Sequence, residues 1–238
     1  MDQNEQYIIS HLQQISDVLL INGGFLSNQG LYSGETGLVL FFARYARYTQ
    51  NELYLDYCFD LIEKIQSRIH KETLVNYRQG LAGIGSAIEY LVQNSYFEAD
   101  TDDILEEFDK RIFFTYNLPY LTIDEIIDVS YYANWRLSGN SVLKDAISKT
   151  VLPQIEKVFY DHSVNVARLQ PGKKTTPSGF EQKTSVHCLE LISKDDFWNK
   201  EPGLQNGLAG WGLSLLTELD GDDSWFSLLP NDFKQFET

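Results

Sequence analysis

The chain has 238 residues, a formal net charge of −15 and 43% hydrophobic residues. This length fits one large domain better than two small ones, so the sequence predicts a single domain over 1–238. The apolar content excludes a mostly disordered chain. The acidity excludes nucleic acid as the main partner, because a phosphate backbone requires clustered Lys and Arg.

The sequence shows none of the patterns that are typical of exported or membrane-spanning proteins. Two cysteines, Cys58 and Cys188, are too few for a disulfide framework. Residues 1–5 have no basic or apolar signal-peptide region, and the longest apolar run, 38–43, is too short for a bilayer. The sequence therefore predicts a reduced, cytoplasmic protein with no membrane span.

Apolar residues recur at steps of three and four in seven segments of the first 160 residues, as on one face of an amphipathic helix. The predicted helices cover 6–20, 36–48, 52–69, 83–93, 101–112, a segment opening at Thr122, and 142–160. Thr122 and Glu125 have capping-box spacing, and Pro153 predicts a kink or break. Helical patterning resumes at 207–219 and 224–229.

Residues 161–202 differ from the rest of the chain. They contain Pro-Gly, Pro and Ser-Gly turn signals between 171 and 179, with patchy alternation on either side. The segment is either a short β-hairpin or a long irregular loop. The sum is an all-α protein of short antiparallel helices with one insertion at 161–202.

A glycine pattern repeats before three of the predicted helices. It reads Gly-Glu-Thr-Gly-Leu-Val at 34–39, Gly-Leu-Ala-Gly-Ile-Gly at 80–85 and Gly-Leu-Ala-Gly-Trp-Gly at 207–212. A degenerate fourth copy is predicted at 131–136. The first two copies are 46 residues apart (80 − 34), which suits an αα-hairpin per repeat.

Glycine at a helix start indicates either close backbone approach or a positive φ in the lead-in turn. The repetition predicts helix N-termini that crowd toward a common centre. The turn glycines are Gly34, Gly37, Gly80, Gly83, Gly85, Gly207, Gly210 and Gly212. Phosphate binding is the alternative, but the order is the reverse of the dinucleotide fingerprint and no predicted strand precedes it.

With these motifs the sequence resembles the lanthionine synthetase C-like (LanC-like) family, as a short and divergent member. The similarity lies in 30–37, 77–85, 98–109, 203–212 and 224–229; it is good over 26–110 and 201–230 and poor between. The resemblance implies an α/α toroid of αα-hairpins, here a partial ring whose ends the insertion or a second subunit would protect.

The resemblance further implies a zinc site, because in the family's cyclases two Cys and one His hold a zinc ion that activates a peptide cysteine. The thiolate adds to dehydroalanine or dehydrobutyrine and forms a thioether ring. Here the weak zinc candidates are Cys58, within a helical apolar pattern, and His187 with Cys188, adjacent and in reversed order. The family's ligand set is not in place, so the sequence predicts no cofactor and leaves cyclase activity doubtful.

Aromatic residues offer a second candidate surface. Tyr131, Trp135 and Trp211 either line a concave face or belong to the core. The first functional hypothesis is a non-zinc accessory or peptide-binding protein in ribosomal peptide maturation, with a peptide or maturation-complex partner and a homodimer as one possible state. The alternative is an active α/α enzyme, either a thioether cyclase with an altered site or a carbohydrate-acting enzyme.

Overall fold

A computed structural model describes residues 3–115, 118, 121–162 and 200–230 of the chain. These residues form helices joined by turns, and no strand occurs among them. The predicted all-α class is therefore confirmed. Within the same ranges, none of the helices combines the length and the hydropathy that a bilayer-crossing segment needs.

Every segment predicted to be helical and described by the structure is helical. The α-helices are α1 (Gln3–Asn22), α2 (Glu35–Thr49), α3 (Glu52–Ser67), α4 (Leu81–Gln93), α5 (Thr101–Asp109), α6 (Ile123–Ser138), α7 (Lys144–Ala146), α8 (Leu152–Asp161) and α9 (Leu208–Asp220). Short 3-10 helices lie at Gly23–Phe25 and Ser224–Leu228, and π-helical segments at Lys110–Thr115 and Ile147–Val151. Most of the predicted insertion, with His187 and Cys188, lies outside the described residues.

Local capping signals set two helix starts. Thr122 accepts a hydrogen bond from the Glu125 N–H, and the Glu125 carboxylate accepts one from the Thr122 N–H at 2.8 Å, so the predicted capping box is confirmed. At α5 the cap is Asp100, whose carboxylate accepts from the Asp102 N–H at 2.9 Å. Pro153 lies in the first turn of α8, where its missing N–H costs little, and a π-helical segment precedes it.

The described chain divides into two compact units. The first contains α1, α2, α3 and α9, and in it α2 packs against α3 and α9 while α1 packs against α9. The second contains α4 to α8 and residues 225–230; in it α4 packs against α5 and α6, and α6 packs against α8.

Each of the first two glycine repeats opens a helix that is buried on all sides. Residues 35–46 of α2 and 81–91 of α4 are all buried. The helix that follows each of them buries one stripe only, as α3 does with Cys58, Leu61 and Ile65. A buried helix paired with an amphipathic one is the predicted αα-hairpin, which accounts for the 46-residue spacing.

The predicted fourth copy at 131–136 is wrong as a helix start. Helix α6 begins at Ile123, with Thr122 as its N-cap, so this stretch lies in the second half of the helix. It contains no glycine, and its apolar and aromatic pattern is that of a buried helix interior. Residues 131–133, 135 and 136 are buried accordingly.

The three glycine repeats share one backbone hydrogen-bond pattern in a seven-residue lead-in loop, at 28–34, 74–80 and 201–207. The first helical N–H donates to the carbonyl six residues before the N-cap glycine, and the next N–H donates to the carbonyl after that one. The first of these bonds joins Glu35 to Asn28 (3.0 Å), Leu81 to Leu74 (2.9 Å) and Leu208 to Glu201 (2.8 Å). Main-chain carbonyls thus cap helices whose N-cap residue has no side chain.

These carbonyls explain the N-cap glycines. An ideal Cβ on Gly80 would lie 2.2 Å from the Leu74 oxygen, and one on Gly34 would lie 2.5 Å from the Asn28 oxygen. The φ angles of the two glycines are −122° and −119°, so a positive φ is not the reason. Close backbone approach, one of the two predicted explanations, is therefore the one that applies.

The third glycine of a repeat makes room for an aromatic ring of a neighbouring helix. An ideal Cβ on Gly85 of α4 would lie 2.5 Å from the Tyr132 ring of α6. In the other unit, one on Gly212 of α9 would lie 2.3 Å from the Phe41 ring of α2. Each ring thus lies directly on a helix backbone, which tightens the packing of the buried helices.

We expect Gly80→Ala to lower the free energy of unfolding by about 3 kcal/mol, because the added methyl group meets a backbone carbonyl that is itself bonded to the helix. Urea unfolding followed by circular dichroism measures the change. Gly24→Ala is the matched control, since its Cβ would meet nothing within 4 Å. Equal stability of the two variants would contradict the capping role of the lead-in loop.

Candidate functional site

The glycine turns lie side by side within the first unit. The Tyr32 carbonyl, in the first lead-in loop, accepts hydrogen bonds from the Leu204 and Gln205 N–H groups of the third, at 2.7 and 2.9 Å. An ideal Cβ on Gly203 would lie 2.7 Å from Ser33 Cα. The first and last repeats are therefore joined through their turns, while a common centre for all the turns stays a prediction.

The capping pattern also bears on phosphate binding at these turns. An anion at a helix N-terminus is held by the first N–H groups of the helix. In α2, α4 and α9 the first two of these groups donate to loop carbonyls. Two of the donors that a phosphate would use at each of these turns are therefore already occupied.

The three candidate aromatic residues differ in exposure. Tyr131 and Trp135 are only 6% and 9% exposed, and they pack on the rings of Tyr77 and Tyr90. Both side chains therefore belong to the buried core of the second unit. Trp211, in the other unit, is half-buried, and the Lys200 ammonium lies 4.5 Å from its ring centre. Trp211 thus keeps an accessible surface that carries a cation.

Cys58 does not fit the zinc site that the resemblance implies. It is fully buried between α2 and α3, where its thiol donates to the Val39 carbonyl at 3.6 Å. Burial raises the pKa of this thiol far above its usual range. Zinc binds the thiolate form, and the surroundings of Cys58 hold it as a neutral thiol.

A buried ion cluster in the second unit has no counterpart in the predicted site residues. The Arg136 guanidinium, fully buried on α6, bonds Glu89 of α4 and Asp102 and Asp109 of α5. The Asp109 carboxylate lies 2.7 Å from Arg136 Nη2 and accepts the Tyr132 hydroxyl at 2.7 Å. One cation thus joins three helices, and its burial makes it a structural centre rather than a substrate contact.

The carboxylates of this cluster are held in different ways. Burial raises the pKa of Asp109, although hydrogen bonds from Arg136 and Tyr132 oppose the rise. Burial acts in the same direction on Asp102, but hydrogen bonds from the Val142 N–H, from Ser141 and from Arg136 outweigh it and lower the pKa. Burial disfavours the Arg136 cation too, yet hydrogen bonds to Asp109 raise its pKa, so it stays charged.

A sequence signal for this cluster exists, because Glu89 and Arg136 interrupt the apolar surroundings of two buried helices. In the first unit Glu35 gives the same signal. It is fully buried at the start of α2 and pairs with Lys64 of α3 and with Arg68 directly after that helix, at 2.5 and 2.9 Å. A charge on a buried helix thus indicates an ion pair with a neighbouring helix.

A cavity of about 170 Å³ lies between the second lead-in loop and the start of α6. Its lining combines apolar side chains with two carboxylates and an amide: Leu74, Val75, Asn76, Leu121, Glu125, Asp128 and Val129. Leu74 and Glu125 are exposed at its rim, and Val129 is fully buried. Among the described residues, this cavity offers a concave surface with both apolar and charged groups, at a glycine turn.

Comparison with known families decides the relationship. The family model described as "Lanthionine synthetase C-like protein" matches residues 26–163, which is 138 of the 238 residues (163 − 26 + 1). The chain belongs to the lanthionine synthetase C-like family. No curated protein and no solved structure matches it.

The matched range of this LanC-like chain extends from the first lead-in loop to the end of α8. It includes 111–163, where the sequence motifs alone showed little similarity. The third glycine repeat lies beyond the match, yet its lead-in loop has the hydrogen bonds of the first two. The family membership accords with the helical-hairpin fold, of the toroid type, that the resemblance implied.

We expect Arg136→Met to lower the free energy of unfolding by about 3–5 kcal/mol, because it leaves Glu89 and Asp109 buried without their cation. Thermal and urea unfolding measure the loss. Lys149→Met removes the cation of an exposed pair with Asp145 and is expected to cost less than about 0.5 kcal/mol. Similar stabilities of the two variants would show that Arg136 does not hold the second unit together.

Proposed function

We propose that this LanC-like protein acts in the maturation of a ribosomally made peptide, as a peptide-binding accessory that does not use zinc. The family membership supports the peptide as partner. The burial and protonation of Cys58 support the second part of the proposal, that the protein does not use zinc. A site with two thiolates needs both cysteines of the chain, and Cys58 is a buried, neutral thiol bonded to a carbonyl.

The charge of the chain supports a basic peptide as ligand. A net charge of −15 attracts a cationic peptide over a distance of about a Debye length, roughly 8–10 Å at physiological salt. Such attraction raises the rate of encounter more than it raises the final affinity. Recognition then depends on local pockets.

We expect the protein to bind the precursor peptide encoded beside its gene with a Kd below about 50 μM, and to bind it more weakly at high salt. Fluorescence anisotropy with the labelled peptide measures the affinity. An acidic peptide of equal length is the control. No binding of the precursor at about 50 μM would count against the proposal.

We further expect the purified protein to contain far less than one zinc ion per chain, because a neutral buried thiol is a poor ligand. Elemental analysis of protein purified without chelators measures this. Cys188→Ala should leave the metal content unchanged. One zinc per chain, lost in that variant, would overturn the non-zinc proposal and favour a thioether cyclase with an altered site.

A further inference from the structure

We propose that the cavity at the start of α6 is a pocket for a single arginine or lysine side chain of the bound peptide. The inference rests on the proposed function, since the peptide supplies that side chain. The inference adds to that function the chemical class of the peptide residue that is recognised, and it names the residues of this protein that contact it.

The size of the cavity limits its occupant. At about 170 Å³ it is close to an engineered cavity of about 150 Å³ that accommodates benzene, and it is below the roughly 300–1,000 Å³ of pockets for drug-sized ligands. A nucleotide or an organic cofactor is therefore too large for it. One long side chain is of suitable size.

The walls suit the stem of a basic side chain. Val75 comes from the lead-in loop, Leu121 directly precedes the N-cap of α6, and Val129 lies in the second turn of that helix. Lysine and arginine bury their methylene groups against such apolar surfaces while the charged end remains near polar groups. Leu74, 56% exposed, forms an apolar rim at the entrance.

The charged groups suit the end of that side chain. Glu125 and Asp128 are three residues apart on α6 and therefore lie on one face of the helix. Among the described residues, the lining includes both carboxylates and the Asn76 amide but no Lys or Arg. Glu125 is also held in place, because its carboxylate accepts hydrogen bonds from the Thr122 N–H and hydroxyl, each at 2.8 Å.

A metal ion is a poorer occupant than an organic cation. Calcium and magnesium require several oxygen ligands around one point. The described residues contain no group of three acidic, His or Cys side chains able to hold a metal ion. The apolar walls contribute nothing to metal binding, whereas they match the stem of arginine or lysine.

The test uses the full ¹⁵N-labelled chain and the peptide acetyl-Gly-Ser-Arg-Ser-Gly-amide, with lysine, norleucine and glutamate versions for comparison. We expect the arginine and lysine peptides to shift the amide resonances of 74–76 and 121–129. The norleucine and glutamate peptides should bind at least about fivefold more weakly. Shifts confined to other residues, or equal binding of the norleucine peptide, would overturn the inference.

A matched pair of protein variants separates the pocket from the overall charge. Asp128→Asn should weaken arginine-peptide binding at least about fivefold. Asp124→Asn removes the same charge from the same helix at an exposed position that does not line the cavity, and it should leave binding unchanged. Equal losses in both variants would show general attraction rather than a pocket.

The precursor peptide then distinguishes this inference from the proposed function. If the precursor binds the unmodified protein and Asp128→Asn equally well, the pocket inference fails and the proposed function stands. If the precursor does not bind while the arginine peptide shifts 74–76 and 121–129, the pocket stands and the proposed function fails.

Discussion

The lead-in loop whose carbonyls cap the following helix is the constraint on which the rest of this structure depends. An unpaired buried N–H group costs about 1–3 kcal/mol, and the loop satisfies two of them at the start of each glycine-repeat helix. A glycine at the N-cap costs only a few tenths of a kcal/mol relative to a polar cap. Capping by loop carbonyls at the cost of an N-cap glycine is favourable because α2, α4 and α9 begin in buried surroundings, where water cannot cap them.

Helices that are buried on all sides also determine where charges are found. A charged side chain at a buried position of α2, α4 or α6 cannot reach water easily, so it must pair inside the protein. Glu35 pairs with Lys64 of α3 and with Arg68 directly after it. Arg44 pairs with Asp220 at the end of α9, and Arg136 pairs with three carboxylates. Such pairs contribute little net stability compared with apolar packing, but removing one partner is costly. They therefore fix which helices lie side by side.

The sequence predicted the features that depend on neighbouring residues. Helix positions followed from apolar periodicity, and the capping box followed from the spacing of Thr122 and Glu125. The glycine repeat identified the hairpins, because a local clash between loop and helix imposes it. The supposed copy at 131–136 failed because its pattern reflects burial in the second half of α6 and not a helix start.

Features formed by distant parts of the chain were not predictable. Arg136 and Glu89 are 47 residues apart, and the cavity joins 74–76 to 121–129. A single sequence shows that Glu89 and Arg136 interrupt apolar helices, but it does not show that they meet. The helical apolar pattern around Cys58 already favoured a buried residue over a zinc ligand, but a single sequence does not show that its thiol lies between two helices and donates to a carbonyl.

The self-capped helix starts have a consequence for what this LanC-like chain can recognise. Elsewhere, a helix N-terminus attracts anions through its unpaired N–H groups. Here loop carbonyls occupy the first of those groups, which leaves the choice of ligand to side chains. Around the second glycine turn these side chains are two carboxylates, an amide and apolar groups. The start of each glycine-repeat helix therefore depends on main-chain hydrogen bonds, and the side chains around the turn can differ without loss of those bonds.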